Sequence, residues 1–283
     1  MKLVKEILAR VDDLPAVPAI AQRILAAVNK PDFSFKEIES LIKMDPGITA
    51  HILRMCNSPY FGLRRKVTSL EQALTLLGAA NIVDVVMSSK LVGMYKATQE
   101  GYRLAHGELW HHSMAVALLA QRLGERLSYP QIPTLFTAAL LHDVGKLILS
   151  QFVEEKFEEI ERLIQEEGKA FVEAEKQVLG MDHALLGAMV ARNWNFPEPI
   201  AHAIAFHHNL EPATTYRDLA RLVALANLMV LSMGVGAGAQ GLAAPVPAGL
   251  LEECNLSTRD LDIISLDLKD ILDQAGEMLD LAR

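Results

Sequence analysis

Apolar residues recur every three to four positions through most of the chain. Ile20, Ile24, Leu41, Ile52, Leu53, Leu74 and Leu77 are examples, and this spacing lines one face of an α-helix. Helix punctuation repeats along the chain. "SFKE" (34–37) has the form of a capping box and opens "IESLIKM", and "TSLE" (68–71) repeats the device before "QALTLLG", where Gly78 predicts a helix stop. "STRD" (257–260) is a weaker variant ahead of a final amphipathic stretch running to Leu281. Apolar–polar alternation never persists beyond a few residues, so strands are not expected. The predicted fold is all-α, a multi-helix bundle.

Two lobes are expected, residues 1–95 and 96–283, meeting near "GMYKATQEG" (93–101), the least hydrophobic connector in that region. The apolar residues of the first lobe predict a core of its own. No Gly/Ser/Pro linker separates the lobes, so the first should pack on the second. The charged segment "VEEKFEEIERLIQEEGK" (153–169) lies between histidine-bearing helices and is expected to cover them from outside. "LVALANLMVLSMGVGAGA" (222–239) is uncharged and long, but Gly234, Gly236 and Gly238 would break its second half. It reads as a buried helix followed by a glycine-rich loop, so no membrane association is expected.

Composition narrows the function classes. With 51% hydrophobic and 22% charged residues the chain can bury a sizeable core. Its net charge of −8 argues against a nucleic-acid or anionic-membrane binder, and the basic run Arg64, Arg65, Lys66 reads as a solvated turn. Two cysteines, Cys56 and Cys254, make no disulfide framework, and no signal peptide opens the chain, which fits a reducing cytoplasm.

The chemistry concentrates in "LLHDVGKL" (140–147), where His142 and Asp143 sit in an apolar run. A carboxylate buried there needs a compensating partner, a hydrogen bond or a metal ion. Glu108 and His112 in "GELWHHSMAVALLA" are four apart and share a helix face, as do His142 and Lys146, whose ammonium is placed to meet a phosphate. His183 follows in "GMDHALLGAMVARNW", then His207 and His208 in "IAHAIAFHHNL". Taken singly, a helical histidine is usually a core or interfacial residue, and His51, His106 and His202 are read so; His111 is expected to point away from His112. Several helices each carrying a polar residue on an apolar face outweigh that reading and point to bound metal. Imidazoles with a bridging carboxylate suit Fe, Mn, Zn, Ni or Co, and the lack of thiolates excludes a zinc knuckle.

A histidine, an "HD" pair followed by "VGK", and later histidines resemble the HD superfamily of metal-dependent phosphohydrolases. The "LP..P", "DP", "NS.YFG" and "SL..A...LG" phrases of the first half are similar to the HDOD (HD-related output domain) family, from Leu14 to about Leu231. The resemblance implies that His112, His142 and Asp143 are metal ligands. It matches His183, His207 and His208 to the additional ligands of HD-GYP relatives, Glu108 to a carboxylate of trinuclear relatives, and Lys146 to the lysine after the HD pair. Two divalent transition-metal ions are implied. The superfamily's last ligand is an aspartate, and Asn227 stands in its place, contributing a dipole instead of a charge. "HHNLEPATTYRD" also lacks the substrate loop of cyclic di-GMP hydrolases. The implied function is a bacterial signal-transduction output module acting mainly through protein–protein contacts with signalling proteins. The alternative is a phosphohydrolase on a phosphate-containing small molecule, with Asp143 and Lys146 catalytic and two metals about 3.5–4 Å apart activating a water.

Overall fold

The computed structural model describes residues 2–11, 19–30, 32–57, 66–95, 97–236 and 238–239, and beyond them 249–254, 256, 260, 264, 269–273 and 275–276. Up to residue 95 the described helices are α1 (Lys2–Ala9), α2 (Ala19–Val28), α3 (Phe35–Lys43), α4 (Pro46–Cys56) and α5 (Leu70–Tyr95). A 3-10 turn (Glu100–Tyr102) leads to α6 (Glu108–Arg126), α7 (Ile132–Leu141), α8 (Lys146–Glu155), α9 (Phe157–Glu167) and α10 (Phe171–Leu179). Then come α11 (His183–Asn193), α12 (Glu198–Phe206), α13 (Arg217–Ser232) and the short α14 (Leu250–Glu253). Among the described residues there is no strand, only an isolated bridge between Gln99 and Leu104. The chain is all-α.

The helix starts show how local signals act. Ser34 stands at the N-cap of α3, yet its hydroxyl makes no capping bond and Glu37 turns outward to Lys30 Nζ at 2.9 Å. The expected capping box is therefore not formed there. Ahead of α5 the serine half of the device forms one residue later than expected: Ser69 Oγ accepts from Gln72 N at 3.2 Å, while Gln72 Oε1 reaches past Ser69 to accept from Thr68 N at 3.2 Å. Gly78, with φ 72° and ψ 171°, breaks α5 where the stop was predicted. The "LP..P" motif, most of the "NS.YFG" motif, Arg64, Arg65 and most of residues 257–281 lie outside the described residues.

At the centre α6 and α7 pack side by side, with α13 across both and α12 on α7. Outside these, α11 lies on α12 and α9 on α10, while α8 sits on the 3-10 turn. The first lobe gathers α2, α3 and α4 around α5, and α5 leans on α7 and α6. Buried apolar side chains from Ile7 to Ala275 form one connected cluster, so the first lobe does not keep the separate core that its spacing suggested. Burying one continuous core removes more apolar surface from water than two small ones would. The segment Ile132–Glu155 is apolar and long enough to cross a membrane, but 83% of its most apolar 18-residue stretch is buried inside the protein, and the segment comprises α7 and α8. After α13 the chain turns through Gly234, Gly236 and Gly238, all at positive φ, which is the glycine-rich loop expected from the sequence.

Candidate metal centre

Four helices end or begin at one buried point. His142 and Asp143 occupy the turn between α7 and α8. That turn is pressed onto α11 so closely that a Cβ on Gly145 would lie 2.0 Å from the His183 carbonyl and 2.8 Å from Gly187 N. Two facing glycines thus bring the HD pair to His183, the first residue of α11.

His112, His142, His183 and His207 are each held by the nitrogen that faces away from the cluster. His142 and His207 directly follow α7 and α12, and their Nδ1 atoms lie 2.7 Å from Ala139 O and Ile204 O, carbonyls left over at the helix ends. His112 Nδ1 lies 2.9 Å from Val235 O in the glycine-rich loop. There Gly236, at φ 61°, comes so near that an added Cβ would sit 2.4 Å from His112 Cβ. His183 Nδ1 lies 2.7 Å from Glu175 Oε2. Carbonyl oxygens only accept and Glu175 accepts as a carboxylate, so each ring donates its Nδ1–H and turns a lone-pair-bearing Nε2 inward.

The inward nitrogens divide between the two oxygens of Asp143. His112 Nε2 and His142 Nε2 lie 3.4 and 3.3 Å from Oδ2. His183 Nε2 and His207 Nε2 lie 3.3 and 4.0 Å from Oδ1. His208 joins the second set, with Nε2 3.0 Å from His183 Nε2. Two cups therefore share one carboxylate: His112, His142 and Asp143 in the first, and Asp143, His183, His207 and His208 in the second. Donors each about 2.1 Å from one ion stand roughly 3.0–3.4 Å apart, so most of these spacings fit ligands around a metal.

Unpaired atoms make the stronger fit. His112 Nε2, His142 Nε2, His207 Nε2, Asp143 Oδ1 and Asn227 Oδ1 are all buried without a hydrogen-bond partner. A buried polar atom left so costs about 1–3 kcal/mol, and four of them gathered at Asp143 are unusual unless a cation takes them. Protonation agrees. Burial pushes His112 down to about 3 and holds His207 and His208 well below the usual imidazole range, which keeps them neutral as ligands must be. Burial lowers His183 too, but Glu175 beside it outweighs that and raises it. Burial pushes the Asp143 carboxyl up, while the neighbouring His142 and the Lys146 ammonium outweigh burial and hold it well below the carboxylate range.

The remaining expected residues fall unevenly. Lys146 is buried with its Nζ 2.6 Å from Asp143 Oδ2 and 5.3 Å from the Tyr102 ring centre. Asn227 is buried on α13, which packs against α6, α7 and α12. Glu108 does not join the cluster: it is exposed at the first position of α6, and its Oε2 turns back to accept from Ala105 N at 2.8 Å in the turn before the helix. His111 points elsewhere, to Leu272 O at 3.2 Å, and His202 stacks on Phe206.

Two residues of the site escaped sequence reasoning. Glu175, wholly buried, accepts from His183 N at 2.8 Å and from His183 Nδ1, and the Tyr102 hydroxyl donates to its other oxygen. The available signal was its register: Phe171, Ala174, Glu175 and Leu179 form the buried stripe of α10, and Glu175 is the acid among them.

His208 reaches a cavity of about 450 Å³ with Leu185, Phe206 and Pro212 among its apolar walls. Glu173, Asp182 and Glu211 line it against one cation, Lys176.

Residues 14–210 match the HDOD domain family. Over its whole length the chain is similar to the crystal structure of an HDOD domain protein of unknown function from Geobacter sulfurreducens, at 25% identity and TM-score 0.80, covering 98% of this chain and 97% of that one. It is also similar to a protein from Shewanella amazonensis SB2B provisionally described as a phosphohydrolase, at 25% identity and TM-score 0.72, covering 98% of both. A sequence relative from Treponema pallidum, itself uncharacterized, is 26% identical over 231 residues, which is 81% of this chain and 44% of that protein. The chain thus spans less than half the length of this curated relative.

Proposed function

Because the chain belongs to the HDOD family, we propose that it is a signalling output module built around a two-ion metal centre, working through protein partners and not by turnover of a phosphate ester. The observation that carries this reading is closure. Among the described residues His112, His142, Asp143, Lys146, His183, His207 and Asn227 are all buried, and the cavity that reaches the cluster at His208 has three acids against a single lysine on its walls. Such a mouth repels phosphate dianions and offers a nucleotide a single cation, Lys176, among three acids. Asn227 reduces the anionic charge that would hold and activate a second ion. When bound, divalent ions would supply Lewis-acid polarisation and an acidified water; the residues of this chain hold the four Nε2 lone pairs in place and shield them from solvent. The module reading sets the protein in the cytoplasm, where Cys56, whose buried thiol is pushed up to about 11, stays reduced and inert.

The phosphohydrolase reading has support in the position of Lys146 beside Asp143 and in the likeness to the Shewanella protein. One experiment separates the two. Protein purified without a histidine tag is loaded with Mn²⁺ or Fe²⁺ and assayed by elemental analysis and against bis(p-nitrophenyl) phosphate and cyclic dinucleotides. Bound metal without turnover is the expected result; metal-dependent turnover establishes the enzyme instead.

A further inference from the structure

The two cups around Asp143 are electrically unequal, and the inequality comes from two charged residues outside the ligand sets, Lys146 and Glu175. Beside Oδ2 sits the Lys146 ammonium at 2.6 Å, a resident cation in the cup of His112 and His142. Beside the other cup sits Glu175, a wholly buried carboxylate 2.7 Å from His183 Nδ1. We propose that Glu175 is the positioning residue of the His183–His207–His208 half-site and makes it the first and tighter of the two metal sites. This rests on the metal-binding reading above.

Three features support the assignment. Glu175 accepts both the backbone N–H and the Nδ1–H of His183, so it fixes ring orientation and tautomer together. The Tyr102 hydroxyl donates to its second oxygen, and Tyr102 is itself anchored by Ala239 N, 2.8 Å from the Tyr102 carbonyl, which ties the glycine-rich loop to the same network. The half-site otherwise offers a dication three neutral imidazoles and one oxygen of a shared carboxylate. A buried anion hydrogen-bonded to the far side of a ligating imidazole raises the basicity of its Nε2 and adds negative charge next to the ion. In the other half-site an incoming ion must displace or repel Lys146 before it reaches Oδ2. Order of loading follows from these two charges.

Glu175→Gln tests this with little disturbance. Its amide oxygen accepts both His183 bonds, and its NH₂ donates to the Tyr102 oxygen where that hydroxyl had donated, so the charge is lost and one hydrogen bond is reversed. Metal-free wild type and variant are titrated with Mn²⁺ alone against a competing chelator, with bound ion counted by electron paramagnetic resonance. Co²⁺ absorption spectra report the ligand field. Wild type should bind one ion tightly and a second more weakly. Glu175→Gln should weaken the tight step by about 10- to 100-fold, shift the first-equivalent Co²⁺ spectrum, and leave the weak step within twofold. Tyr102→Phe, which keeps the charge but loosens it, should fall between, and it stands in if Glu175→Gln does not fold. Unchanged tight binding in the folded variant overturns this proposal alone. Equal weakening of both steps also overturns it, since that assigns Glu175 a general structural role. A wild type that binds no Mn²⁺ or Co²⁺ overturns the metal-centre reading, and this inference with it.

Discussion

Lys146 Nζ lies 2.6 Å from Asp143 Oδ2, and both side chains are closed to solvent. The buried aspartate of the "HD" pair thus has a cation of its own, three residues further on and at the start of α8. Removing one member of such a pair strands the other charge in a medium that cannot solvate it, at a cost of about 3–5 kcal/mol. Lys146→Met should therefore cost the metal-free protein about that much, and distinctly less once Mn²⁺ is present to neutralise Asp143 in its place. Urea unfolding with chelator and with Mn²⁺ checks this. An equal loss under both conditions would mean that metal never reaches Asp143.

Legibility in the sequence followed the kind of atom involved. His112, His142, His183 and His207 could be found because side chains on apolar helix faces leave a mark in the residue pattern. Their anchors at Ala139, Ile204 and Val235 could not, because a carbonyl oxygen belongs to every residue type. Glu108 was misplaced by its spacing: one turn before His112 is the same face only once the helix is under way, and at the first position an exposed carboxylate is drawn to the free N–H of Ala105. Glu175 was readable as an acid on an apolar stripe, but its partner His183 lies beyond a turn at Gly180 and Met181 that helix periodicity does not carry through. The all-α fold needed only periodicity and punctuation, which survive even where Ser34 makes no cap and Ser69 takes the role expected of Thr68.

Gly145 has an ordinary helical φ of −62°, so its role is one of space. An added Cβ would meet the His183 carbonyl at 2.0 Å, a backbone atom that cannot step aside. Gly145→Ala should cost about 1–3 kcal/mol or more by overpacking and should lower metal occupancy by moving the HD turn off α11. Gly276→Ala, where nothing stands within 4 Å, should stay within about 0.5 kcal/mol. Thermal melts and metal analysis of the two variants make the comparison.

Asp84 on α5 is buried, and its Oδ1 has no hydrogen-bond partner. Burial above all, with the charge of Glu125, holds its carboxyl well above the usual range, while a hydrogen bond from Gln121 pulls the other way. The folded protein consequently binds this proton more tightly than the unfolded chain, whose aspartate titrates near about 3.9. The contribution of Asp84 to stability is full below that pH and falls as pH rises through the raised folded value. Asp84→Asn should remove this fall and stabilise the protein at neutral pH by about 1–3 kcal/mol, the range for a buried group relieved of an unmet demand. Unfolding free energies from pH 4 to 8 decide it, and a variant with an unchanged slope would show that Asp84 does not titrate in this window.

Asn227→Asp offers a change of sign. Asn227 is buried and its Oδ1 is unpartnered among the described residues, so in metal-free protein a carboxylate there is a buried charge where none stood before. It should destabilise that form by several kcal/mol, on the order of 3–5. If the side chain faces an ion, the same carboxylate replaces an amide dipole by a full charge and should tighten binding by about tenfold or more. Loaded protein should then regain most or all of the loss, because a ligand that binds only the folded state stabilises it in proportion to its affinity. Melting curves of wild type and variant, each with chelator and with saturating Mn²⁺, should therefore cross: the variant melts lower without metal and level or higher with it. Parallel curves would place Asn227 away from the ions and leave His112, His142 and Asp143 to hold the first cup without it.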